Sequence, residues 1–177
     1  MSSDTLTRAK PILKRSREIF AAKMEDYGPS WRVLRPASVL DQILIKVRRI
    51  RNLQEKEERK VDEGIVPELY GVINYCIIAL IQSEEGASDT TDLSVDESLA
   101  RYERFSGEVL SLMERKNHDY GEAWKEMKLR SIVDMILVKL IRNERLLAEN
   151  EAAKSSEGPD ANYFDIINYA IFALLKL

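Results

Sequence analysis

The chain holds one cysteine and one histidine in 177 residues. A single Cys76 excludes an internal disulfide, and its place in an apolar helical run over 73–81 reads as a small core residue. A single His118 excludes a histidine-rich zinc site. Basic charge is not in excess: 27 Lys and Arg against 30 Asp and Glu leave a net charge of −3, so direct nucleic-acid binding is not expected. No uninterrupted apolar run approaches the roughly 20 residues a bilayer span needs, so no membrane partner is expected. The opening residues are polar and charged, without an apolar leader, and a cytoplasmic location follows as the expectation.

What is present is an internal repeat. Asp26-Tyr27-Gly28 recurs 93 residues later as Asp119-Tyr120-Gly121. The same offset pairs Lys23 with Lys116, Trp31 with Trp124, Ser38 with Ser131, Asp41 with Asp134, Lys46 with Lys139 and Arg49 with Arg142. One inserted residue then makes the offset 94, and Ile73-Asn74-Tyr75 returns as Ile167-Asn168-Tyr169. Chance does not put one offset under so many residue types, and self-similarity of this kind decides the architecture.

Each copy reads as three helices. The first is expected over 5–24 and 95–116, ended at Gly28 and Gly121, which permit a left-handed turn. Ser94 with Glu97 has the spacing of a capping box. The second helices are expected from Ser38 and Ser131, with apolar stripes at Val39, Ile43, Ile50, Leu53 and at Val133, Ile136, Leu140, Leu147. The third helices start at Pro67 and just after Pro159-Asp160, and are apolar almost all round, hence central. The expected fold is all-α: repeat 1–82, a polar linker 83–93 and repeat 94–177, packed as a six-helix bundle-like unit with pseudo-two-fold symmetry.

The third helices carry polar residues where a core belongs. Asn162, Asp165, Asn168 and Tyr169 fall on one stripe, matched by Glu68, Gly71, Asn74 and Tyr75. A buried carboxylate is costly unless paired or bound to metal. One reading is a structural network in which Lys139 or Arg142 pairs with Asp165. The other is a site. Asp134 and Asp165 would bind Mg²⁺, with Asp119 and Glu68 assisting, while Lys46, Arg49, Lys139 and Arg142 would hold phosphate. Ser38-x-x-Asp41 and Ser131-x-x-Asp134 also read as helix caps, and the two roles are compatible. Tyr27, Tyr120, Trp31 and Trp124 would either stack on a nucleobase or pack between the copies.

Lys116-x-x-Asp119-Tyr120-Gly121-x-x-Trp124, then Asp134-x4-Lys139-x2-Arg142, then Asp165 with Asn168-Tyr169, resembles the nucleotide modification associated domain 1 family in a tandem two-copy form. The resemblance covers nearly the whole chain and implies a link to nucleotide or modified-base metabolism. More distantly, the layout is similar to the all-α MazG-like nucleoside triphosphate pyrophosphohydrolases, which set acidic residues on two helices around Mg²⁺. The E-E-x-x-E signature of that group is absent. Its E-x-x-D signature is split between Glu68-x-x-Gly71 and Asn162-x-x-Asp165.

The expectation is therefore a nucleotide-binding protein, resembling a Mg²⁺-dependent (deoxy)nucleoside triphosphate pyrophosphohydrolase, with Asn74 and Asn168 among the ligand contacts. The alternative is a non-catalytic helical binding or scaffolding module with a buried polar network. A homo-oligomer is compatible with either.

Overall fold

The computed structural model describes residues 4–56, 61–149 and 158–177. Six helices run in chain order: α1 (Asp4–Tyr27), α2 (Pro36–Gln54), α3 (Val61–Glu85), α4 (Val95–Tyr120), α5 (Leu129–Ala148) and α6 (Pro159–Lys176). No strand forms among the described residues.

Local chemistry sets most of the helix ends. Ser94 makes the capping box: its Oγ accepts from the Glu97 amide at 3.0 Å, and Glu97 accepts from the Ser94 amide at 3.0 Å. The caps expected at Ser38 and Ser131 do not form. Pro36 occupies the first turn of α2 after Arg35, where its fixed φ and missing N–H cost nothing, so Ser38 already lies inside the helix. Likewise α5 starts after Lys128, two residues before Ser131. Pro67 is not a helix start either, since α3 extends back to Val61 and holds Pro67 inside. At its other end α3 continues to Glu85, so the connection between the repeats is shorter than 83–93. Gly28 and Gly121 end α1 and α4 with φ of +65° and +66°, a conformation that favours glycine. Each glycine leads into a short 3-10 turn carrying Trp31 or Trp124.

The pseudo-two-fold shows in the packing, because like meets like: α1 lies on α4, α2 on α5 and α3 on α6. Within each repeat the second helix also packs on the third. The buried faces of α2 (Val39, Ile43, Ile50) and α5 (Val133, Ile136, Leu140) match the expected stripes. By length and composition Glu63–Glu85 is apolar enough to cross a membrane. Here its Ile65, Leu69, Val72, Ile73, Cys76 and Ile77 are core residues, buried in one cluster with residues of both repeats.

Two clamps cross between the repeats. The Arg32 turn grips Asp92, just before α4, and the turn after Gly121 grips the start of α1. In the second clamp the Thr5 amide and hydroxyl donate to Glu122 Oε1 at 3.1 and 2.7 Å, and Trp124 Nε1 donates to Thr5 Oγ1 at 3.0 Å. Lys125 completes it with bonds to Glu122 and Asp4. Lys125 first, then the Thr5 hydroxyl and amide, hold the Glu122 carboxyl down at about 2, below its ordinary 4.5. A depressed carboxylate contributes stability above its unfolded value and loses it as pH falls through the folded one. Glu122→Gln is therefore expected to lower the urea midpoint at neutral pH, with the gap from wild type closing between about pH 5 and pH 2. A gap constant across that range would refute the role given to Glu122.

Candidate functional site

The second repeat builds two adjoining hollows around one ion-paired cluster. Asp165 rises from α6 with its side chain 17% exposed. Its Oδ1 meets Lys116 Nζ of α4, and its Oδ2 lies 3.2 Å from Lys139 Nζ of α5. Three helices thus converge on one carboxylate held by two ammoniums. The pairing with Lys139 is one the sequence foresaw. Lys116 is the added partner, and Arg142 makes no ion pair with Asp165.

On one side of this cluster is a cavity of about 320 Å³, walled by Met113, Trp124, Met127, Tyr169 and Phe172. Trp124 and Phe172 stack with ring centroids 5.3 Å apart, and Tyr169 meets Phe172 edge-on. Asn168 lies in this wall, 5% exposed, and its Oδ1 finds no hydrogen-bond partner among the described residues. Burial first, then the Asp165 charge, raises the Tyr169 phenol above its ordinary 10.0. On the other side is a cleft of about 570 Å³ lined by Arg115, Lys116, Lys139 and Arg142. Among the described residues only Glu108 and Asp165 oppose these four cations there, in a chain that is acidic as a whole. Among the described residues neither Arg115 nor Arg142 is held in an ion pair. Together the hollows offer an aromatic slot with a buried hydrogen-bonding amide, next to unneutralised guanidiniums. Such a surface suits a flat ring joined to an anion.

Other candidates fall elsewhere. Asp134 is 62% exposed and faces α2, where Arg51 lies 3.6 Å away. It lines neither hollow, so the structure does not bring it to Asp165. Nor do the donors suit Mg²⁺ at Asp165: each of its oxygens already meets an ammonium, and no group of three His, Cys, Asp or Glu among the described residues is placed to hold a metal. Asp119 is exposed beside His118 and lines neither hollow. Glu68 is taken by Lys46 (3.7 Å) and Arg49 (3.5 Å) of its own repeat, so those two cations serve an ion pair there. Trp31 and Trp124 are both buried and pack within the fold, the Trp31 ring 6.1 Å from Phe20. Tyr27 is exposed at the rim of the first-repeat cavity, and the Tyr120 side chain lies outside the described residues. Asn74 is fully engaged: Nδ2 donates to the Ser16 carbonyl at 3.1 Å, and Oδ1 accepts from the Tyr102 hydroxyl at 2.6 Å.

Sequence reasoning missed Arg115 and the cavity walls Met113, Met127 and Phe172. Repeat matching favours residues kept in both copies, and the first-copy counterpart of Arg115 is Ala22. A helical projection of α4 carries the missing signal, since Ser111, Arg115 and Leu112 sit a turn apart on the side facing α6.

A family model described as nucleotide modification associated domain 1 matches residues 23–83 and again 116–177. The two segments start at Lys23 and Lys116, which the repeat offset equates. No curated protein and no solved structure matches the chain.

Proposed function

We propose, from the premise that the chain belongs to the nucleotide modification associated domain 1 family, that its second repeat binds a nucleotide. The base enters the aromatic cavity and the phosphates lie in the basic cleft. The observation that carries this reading is the adjacency of those two hollows across Lys116, Lys139 and Asp165. A volume near 320 Å³ falls within the roughly 300–1,000 Å³ of small-ligand sites. The neighbouring cations give the charge-assisted bonds that phosphate oxygens take.

Binding is better supported than hydrolysis. Splitting a phosphoanhydride with a metal needs carboxylates free to hold it, and Asp165 is already shared by two lysines. The Mg²⁺-dependent pyrophosphohydrolase activity expected from the sequence is the finer reading. It is tested by following pyrophosphate release with Mg²⁺ present. The scaffolding alternative fits the first repeat, whose Asn74 network is closed.

The test is titration calorimetry with nucleoside mono-, di- and triphosphates, with EDTA in one arm and Mg²⁺ in the other. Binding that persists in EDTA is expected. Arg142→Gln should weaken it about fivefold, roughly 1 kcal/mol for one exposed guanidinium on phosphate. No heat from any nucleotide at millimolar concentration would leave the scaffold as the account.

A further inference from the structure

The first repeat carries its own version of the aromatic cavity, about 540 Å³, and equivalent residues line both: Lys23 and Lys116, Trp31 and Trp124, Asn74 and Asn168. Two differences separate them, and each concerns a polar group on the wall.

The first is the asparagine amide. Asn74 has both ends satisfied, and the group satisfying its oxygen is Tyr102, which comes from α4 of the other repeat. The position equivalent to Tyr102, 93 residues earlier, is Ala9 on α1. Alanine has no hydroxyl to offer, and the Asn168 oxygen has no partner although it is buried. A buried acceptor without a donor is expensive and is rarely kept without a reason. The second difference is the carboxylate. Gly71 stands where the second repeat has Asp165. A Cβ on Gly71 would lie 2.9 Å from Lys46 Cδ and Cε, so Lys46 fills the place of a side chain. Lys46 bends over α3 towards Glu68 at 3.7 Å, with its Nζ 5.6 Å from the centre of the Tyr75 ring.

We infer that the repeats have divided their roles: Asn168 reads the nucleobase edge, and each chain takes one nucleotide, in the second repeat alone. This rests on the nucleotide reading above and names its specificity residue. A ligand N–H, which every nucleobase edge carries and which ribose phosphate and polyphosphate lack, would satisfy that oxygen. The base, not only the phosphate, is therefore selected. The first cavity is a structural relic whose polar wall is closed by Tyr102 and Lys46.

Calorimetric titration of the full chain with the tightest-binding nucleoside triphosphate tests this, with inorganic tripolyphosphate as the baseless probe. A stoichiometry of one per chain is expected. Asn168→Leu should weaken the nucleotide at least tenfold, leave tripolyphosphate unchanged and not lower the melting temperature. Tyr102→Phe, which strips the donor from Asn74, should lower the melting temperature and leave nucleotide affinity as it was. Two nucleotides per chain, equal losses for both probes in Asn168→Leu, or weakened binding in Tyr102→Phe would each overturn the inference while the nucleotide reading stood. No binding by any nucleotide removes that reading and the inference with it. Wild-type stoichiometry decides the matter if Asn168→Leu does not fold.

Discussion

Arg32→Ala is expected to lower stability by about 3 kcal/mol, the low end for removing one partner of a buried charged network. For a chain of this size the melting temperature should fall by roughly 6–12 °C. The side chain is 3% exposed, and every arm of its guanidinium is used. Nη1 donates to Gln82 Oε1 and to the Gly86 carbonyl at 2.7 Å, and Nε donates to Asp92 Oδ1 at 2.8 Å. Gln82 in turn donates to the carbonyls of Arg32 at 2.9 Å and Leu34 at 2.8 Å. One residue thus joins the turn after α1, the end of α3 and the connection into α4. Alanine would strand the Gln82 oxygen and the Gly86 carbonyl, which is where most of the loss lies, since Asp92 is half-exposed and screened. Arg32→Lys should restore little, because a single ammonium nitrogen cannot span acceptors set around a planar guanidinium fork. The hydrogen bond from Arg32 also holds the Asp92 carboxyl below its ordinary 3.8. That part of the effect is complete above 3.8 and drains away as pH falls through the lower folded value. Urea denaturation at neutral pH measures the whole. A loss under 1 kcal/mol would mean the clamp is incidental to the fold.

The architecture was legible because repetition and periodicity are properties of backbone geometry. A single offset joining Lys23 to Lys116 and Trp31 to Trp124 demanded two like units, and their like-on-like packing follows. Helix starts were less legible at Pro36 and Pro67. There the same residue opens one helix and sits within another, and tertiary burial of the flanking apolar residues decides between them. The site was half legible. Lys139, Asp165 and Asn168 stand out as polar residues on an apolar helix pair, and the structure brings them to one place. Asp134 stands apart from that place, because five residues along a helix turn it well away from Lys139 and its exposed carboxylate meets Arg51 of α2. Sequence could not show that Asn74 is satisfied and Asn168 is not. That depends on Tyr102 and Ala9, residues on the opposite repeat's first helix, whose contact arises only once the halves have docked.

Opposite outcomes are expected for the two residues of the central ion pair. Lys139→Met should weaken nucleotide binding about 100-fold, near 2.7 kcal/mol, because a largely buried ammonium between the two hollows is lost. Its side chain is 17% exposed, and its Nζ lies 3.2 Å from Asp165. Asp165→Asn should instead tighten binding, by about tenfold. The aspartate neutralises Lys116 and Lys139, and a phosphate entering the cleft would compete with it for the same ammoniums. Two unit charges about 4 Å apart interact by about 4 kcal/mol at an effective dielectric of 20, and solvent in the open cleft reduces the part the ligand feels to roughly a third. The amide leaves two lysines facing each other without a counter-charge. The variant should therefore melt lower alone and show a larger ligand-induced rise in melting temperature. A metal-holding Asp165 predicts the reverse, since the amide would lose the cation and the phosphate with it. Affinity of Asp165→Asn measured in EDTA and in Mg²⁺ thus separates the two chemistries by sign. Tighter binding in both marks the carboxylate as the lysines' resident counter-ion, displaced when the nucleotide arrives, and weaker binding confined to Mg²⁺ would restore the metal.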